Sequence, residues 1–158
     1  MSKLITVFRA FPKDIFRANK GPQIQLREYF QGLRVYDIHV TDGRVMPLAP
    51  DCKTFQKPNG ASMRPNTPNM QRLIRNSFKG PEVIVYHIPT GTPLPDELVL
   101  VHEHSDHYSL QPNAVMTLDA LNAAMTDFLR RNATVYTRQQ WLEAYTAPTD
   151  FHGQARKV

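Results

Sequence analysis

A chain of 158 residues fits one domain of ordinary size, and 41% hydrophobic residues are enough for a lean core. Nineteen basic against fourteen acidic residues leave a net charge of +5, which favours polyanionic partners such as nucleic acid or a phosphate-bearing cofactor. No run approaches the roughly 20 apolar residues of a membrane span, the terminus MSKLITVFRAF lacks a signal-type apolar region, and the single Cys52 excludes an internal disulfide and a Cys-based zinc site. A cytoplasmic location with no membrane partner is therefore expected. The basic residues form no block and do not interleave with aromatics as a stacking platform would, although nucleic acid stays among the candidate partners. Thirteen prolines predict short elements joined by stiff loops.

In chain order, Leu4–Phe8 alternates weakly and reads as a strand. In the next run, Ile15, Arg17 and Asn19 fall on one strand face and Phe16 and Ala18 on the other, with Arg17 delivered to the strand end; Lys20-Gly21-Pro22 stops it. The stretch from Gln23 to Leu33 has no clean period. Val35–Val40 reads as a strand, closed by a turn at Thr41-Asp42-Gly43, and its His39 reads as a packed or surface residue. Residues 47–69 are loop-rich, with Asn59-Gly60 as a turn and Gly60-Ala61-Ser62 suited to close approach of a ligand. Asn66 or Thr67 caps a helix with Pro68 in its first turn, an apolar stripe of Met70, Leu73, Ile74 and Phe78, and a stop at Gly80-Pro81. Arg72 and Arg75 are expected on its solvated faces. Glu82–Ile88 and Leu98–Val101 are strong strands. Thr117 caps an amphipathic helix carrying Leu118, Leu121, Met125, Phe128 and Leu129, and a capping box at Thr137–Gln140 opens a last helix with Trp141, Leu142 and Tyr145. The pattern predicts a single α+β domain over residues 1–147, short-stranded sheets with flanking helices, and a flexible tail over residues 148–158 holding His152.

After Leu98–Val101 comes His102-Glu103-His104-Ser105-Asp106-His107, which holds half of the six histidines. Titratable side chains at the end of a buried strand cost desolvation energy, so they either have partners or do chemistry. The spacing matches H-x-H-x-D-H, a pattern able to hold zinc and acidify a bound water. A zinc-dependent hydrolase is thus one expectation, but the downstream ligands of that class are missing. A polar network capping a sheet, in a non-enzymatic binding module, is another.

The segments FRANKGP, NGASMRPN, VYHIPTGTPLPDELVLVHE and DHYSLQP, in this order, resemble the Tse-type toxins of bacterial type VI secretion and their fungal relatives, a family with an ADP-ribosyltransferase-like fold. The resemblance covers roughly Ile15 to Leu142. It implies a cytotoxic, NAD-dependent ADP-ribosyltransferase-like activity in the cytoplasm of a target cell, with NAD as cofactor and a cognate immunity or antitoxin protein as partner. The acceptor of the ADP-ribosyl group is not readable. Arg17 matches the first-strand arginine that grips NAD, with Arg9 as a rival. Ser62 matches the family's serine, and His107 matches its important histidine. Ser62, His107 and Glu103 are thereby the catalytic candidates, and Arg17, Asn19, Ser62, Tyr108 and Gln111 the cofactor-binding ones; no metal ligand is implied. Most transferases of this fold carry a late catalytic glutamate in an acidic motif. No such motif stands out here, and Glu103 and Glu143 are the carboxylates that remain.

Overall fold

A computed structural model describes residues 5–50 and 58–151 of the chain. The elements in chain order are β1 (Thr6–Phe8), β2 (Ile15–Lys20), β3 (Arg44–Val45), β4 (Ala61–Met63), and α1 (Pro68–Arg72), which runs into a π-helical turn (Leu73–Ser77). They continue with β5 (Val83–Ile88), β6 (Leu98–His104), β7 (His107–Pro112), β8 (Met116–Thr117), α2 (Leu118–Asn132), β9 (Thr134–Thr137) and α3 (Arg138–Ala144). The fold is α+β. Antiparallel pairing builds a four-stranded sheet in the order β1-β6-β7-β4, a three-stranded sheet β2-β5-β9 and a two-stranded ribbon β3-β8.

The principal core lies between the two larger sheets and under α2. Ile15, Tyr86 and Ile88 face Ala61, Met63, Leu98, Leu100 and Leu110, and Leu121, Met125, Phe128 and Leu129 come from the helix. A second cluster sits on the far face of the three-stranded sheet, where Phe16, Ala18 and Val85 pack on Met70, Ile74 and Trp141. The expected alternation of β2 therefore holds: Ile15 enters the principal core, and Phe16 and Ala18 enter the second. Leu98, Val99, Leu100 and Val101 are all fully buried because Ala49 and Ile5 cover the outer face of β6. This explains the unbroken apolar run in the sequence.

The local stop and start signals work as expected. Thr67, Thr117 and Thr137 each cap a helix with the side-chain oxygen, and the Thr137–Gln140 box closes in both directions. The turn before β3 places Asp42 and Gly43 at φ of 51° and 73°, where glycine is unstrained.

Three expectations change. Val35–Val40 is not a strand. Asp37 turns back on Arg27 instead, its carboxylate accepting from the Arg27 backbone N–H at 2.7 Å and its own N–H donating to the Arg27 carbonyl at 2.8 Å. The segment thus closes on itself, with one parallel bridge between Glu28 and Ile38. The helix after Thr67 switches to π geometry at Leu73 and ends at Phe78, before Gly80-Pro81. Finally, Gly60-Ala61-Ser62 is not an open loop but the start of β4. A Cβ on Gly60 would lie 2.1 Å from the Leu110 carbonyl oxygen, so the close approach is to β7. Beyond α3, Thr149 and Asp150 donate their N–H groups to the Asn66 carbonyl, and Lys13 bonds the Asp150 carboxylate at 2.9 Å. Cys52 and His152 lie outside the described residues.

Candidate active site

The two larger sheets meet where β2 passes β4. Phe16 and Arg64 exchange both backbone hydrogen bonds, at 2.7 and 3.0 Å, and so stitch the sheets together outside their regular ladders. The next residue, Arg17, lies in mid-strand rather than at the strand end. It reaches across this seam, donating from Nη1 to the Ser62 carbonyl at 3.0 Å and from Nη2 to Asn19 Oδ1 at 3.1 Å. Asn19 in turn donates to the carbonyls of Gly21 at 2.7 Å and Gln23 at 2.9 Å. The amide thereby fixes both the arginine and the chain reversal after β2.

The histidine stretch is a hairpin. Ser105, at φ of 51°, makes the tight turn between β6 and β7. His102 pairs with Tyr108 and His104 with His107, so Glu103 has no residue opposite it. This is a β-bulge, which bends a strand and re-aims a side chain. It turns the Glu103 carboxylate, whose side chain is 1% exposed, against the ring of His107, with Oε1 at 2.6 Å from Nδ1. The approach lies outside hydrogen-bond angles, so the pairing is electrostatic. On the other side of the ring, Nε2 lies 3.0 Å from Ser62 Oγ. Ser62 is directly opposite Ser109 in the β4–β7 ladder, and this register sets the serine beside the histidine. Glu103, His107 and Ser62 thus form a linear relay that ends at the seam beside Arg17.

Ser62 and Arg17 open onto a cavity of about 480 Å³, a volume in the range of ligand pockets. Arg17, Lys20, Arg27 and Arg64 line it with one carboxylate, Asp37, and an apolar wall of Met70, Leu73 and Phe78 comes from α1 and the π turn. Asp37 is taken up by Arg27 in a fork with bonds of 3.0 Å at both ends. That contact holds the Arg27 guanidinium pKa above its ordinary range. Arg17 behaves in the opposite way. Burial, opposed by the attraction of Asp37, pulls its pKa down to about 10. It stays cationic at neutral pH, and its Nε is a buried donor with no partner among the described residues. An excess of cations and a spare arginine donor fit the pyrophosphate of a dinucleotide, which a guanidinium binds in forked fashion.

A family profile described as Tse2 ADP-ribosyltransferase toxin matches residues 13–141. The chain belongs to this family. No curated protein matches it. The matched span runs from just before β2 into α3 and contains every residue of the relay and the cavity wall.

Within this Tse2-family chain, the structure gathers Arg17, Asn19, Ser62, His107 and Glu103 at one seam. It does not bring Tyr108 and Gln111 to the cavity. Tyr108 is stacked on His102 with ring centres 4.3 Å apart and its side chain is in the principal core. Gln111 is fully buried beside Gly60. Arg9, the rival to Arg17, is committed to carbonyls of the β5–β6 connection: those of Leu98, of Leu94 and, at 3.0 Å, of Pro95. Glu143 sits on the exposed side of α3, bonded to Gln139. Arg72 and Arg75 are exposed, as expected.

The donors of H-x-H-x-D-H are dispersed by the hairpin. His102 bonds the Ser105 carbonyl at 2.7 Å, His104 stacks on His107, and Asp106 turns inward to Thr67 and Arg64. Among the described residues, no three His, Cys, Asp or Glu side chains converge to hold a metal ion. No helix there is long and apolar enough to cross a membrane. Sequence reasoning missed Lys20, Arg27, Asp37 and Arg64. The first three lie outside any regular pattern or at its edge, and only Arg64, two residues beyond Ser62 on a strand, sat where its alternation with the serine was a signal.

Proposed function

We propose that this toxin binds NAD in the cavity at the sheet seam and transfers ADP-ribose from it, acting in the cytoplasm of a target cell. The observation that carries the reading is Ser62, whose carbonyl accepts from Arg17 and whose hydroxyl meets His107 at the edge of the cation-lined cavity. Bound there, NAD would supply a nicotinamide–ribose bond that cleaves through an oxocarbenium-like state, as in glycoside hydrolysis. The chain's own groups divide the remaining work. Arg17, with Lys20 and Arg64 nearby, offsets pyrophosphate charge. Ser62 hydrogen-bonds the nicotinamide-side ribose. Met70, Leu73 and Phe78 supply an apolar wall for a ring and limit water. Glu103 touches neither cavity nor solvent, so it acts through His107 as a positioning residue, its charge set against Nδ1 on the side of the ring away from Ser62. A cognate immunity or antitoxin protein is the partner this reading implies.

The test is direct. Purified protein should release nicotinamide from NAD, and expression in cells should arrest growth. Ser62→Ala and His107→Ala should relieve the arrest while melting as cooperatively as the parent. Protein that neither binds nor consumes NAD, in cells that tolerate high expression, overturns the reading.

A further inference from the structure

Orienting a ribose requires one hydroxyl. It does not require a base behind that hydroxyl, nor a buried carboxylate behind the base. Here both are present. The Glu103 side chain is 1% exposed, and neither of its oxygens has a hydrogen-bond partner among the described residues, a costly arrangement unless it does something. The bulge that places it leaves Glu103 unpaired between His102, opposite Tyr108, and His104, opposite His107. What the carboxylate adds is a buried negative charge 2.6 Å from Nδ1, on the side of the ring away from Ser62. With Nε2 as the acceptor, the Ser62 Oγ–H, 3.0 Å away, is the donor. That is how a serine is made into a nucleophile.

We propose that Ser62 is itself an ADP-ribose acceptor, so that the protein modifies its own active-site serine. This rests on the NAD reading above. The C1″–N bond of NAD breaks and its electron pair leaves with nicotinamide, which departs neutral. A lone pair of Ser62 Oγ forms the new bond to C1″. The Oγ proton passes to His107 Nε2, leaving an imidazolium facing the Glu103 carboxylate. Nothing is oxidised or reduced and no further reactant is needed. Attack on a carbon that is already becoming cationic needs no oxyanion donors. The product is an O-glycoside lodged in the cavity wall beside Arg17, so the reaction closes its own site and limits itself to one event per molecule when no other acceptor is present.

The experiment incubates the wild-type protein with NAD alone and maps the mass of the peptide containing Ser62. Nicotinamide release and the NAD-induced melting shift are followed on the same samples. The expected result is a mass gain of one ADP-ribosyl group on Ser62, with nicotinamide released in equal amount. Glu103→Gln should slow the labelling on the order of a hundredfold, and Ser62→Ala should leave no labelled peptide. Nicotinamide release with an unmodified Ser62 overturns self-modification and leaves the NAD reading standing. Absence of both melting shift and release overturns the two together. A folded Glu103→Gln protein that labels at the parent rate overturns the relay.

Discussion

Replacing Arg17 with methionine separates what this residue does for the fold from what it does for a ligand. Its pKa is pulled down to about 10 in the free protein, chiefly through burial. At about 1.4 kcal/mol per unit, holding the charge there costs up to roughly 3 kcal/mol. The true figure is lower, because the side chain keeps part of its surface in the open cleft. Against this stand two charge-assisted hydrogen bonds, to Ser62 O and Asn19 Oδ1. Their loss leaves two acceptors unmatched, at about 1–3 kcal/mol. Methionine fills a similar volume without charge, so the two effects nearly cancel, and the variant should unfold within about 1.5 kcal/mol of the parent. Binding should not be spared. A phosphate bonded by this guanidinium contributes about 1.5–3 kcal/mol, so Kd for NAD should weaken by about 10- to 150-fold. Titration calorimetry measures the second quantity and urea unfolding the first. In addition, NAD at a hundredfold excess over Kd should stabilise the parent by about 2.7 kcal/mol and raise Tm by roughly 5–10 °C. An Arg17→Met protein that binds NAD within threefold of the parent would refute the placement of the pyrophosphate at Arg17.

Three further outcomes are expected. Gly60→Ala drives a methyl group into the Leu110 carbonyl, and since backbone must move it should destabilise by about 3 kcal/mol or more in urea unfolding; an unchanged midpoint would mean that β4 does not lie so close to β7. Trp141→Ala empties the fully buried position that supports Phe16, whose ring it meets edge-on at 5.7 Å. A loss of about 3–5 kcal/mol is expected, with NAD binding weakened because Phe16 and Arg17 are adjacent on β2. The third concerns Asp14, whose carboxyl is held below 3.8, first by the Thr90 hydroxyl and also by the Thr90 N–H and His87, against the opposing effect of burial. A depressed carboxyl contributes stability above its unfolded pKa and loses it as pH falls through the folded one. Melting curves of parent and Asp14→Asn should therefore differ at neutral pH and converge below about pH 4; a constant difference would sink the assignment.

Most of what was legible in the sequence is local. Thr67, Thr117 and Thr137 cap helices because a hydroxyl two or three residues before a free N–H can reach it whatever the rest of the chain does. The faces of β2 and the burial of β6 followed from side-chain period. Val35–Val40 had the composition of a strand and failed to become one, because a strand also needs a neighbour, and Asp37 found Arg27 first. The residues of the candidate site come from resemblance, which points to Arg17, Ser62 and His107 and leaves Glu103 as a carboxylate in search of a role; the structure brings the four to one seam.

What the sequence by itself determined, then, is the inventory: the helices and the longer apolar strands, which side chains are chemically capable, and that cations outnumber anions. Only the tertiary structure decided their geometry. Arg17 and Ser62 are 45 residues apart and meet because Phe16 and Arg64 bridge two sheets. Glu103 faces His107 because one unpaired residue in β6 rotates its side chain. Arg27 and Asp37 join the cavity from irregular segments with no period to read. Short-range rules act along the chain and are written in it. The register between strands and the angle between sheets are set by the packing of the whole core, and the site depends on both.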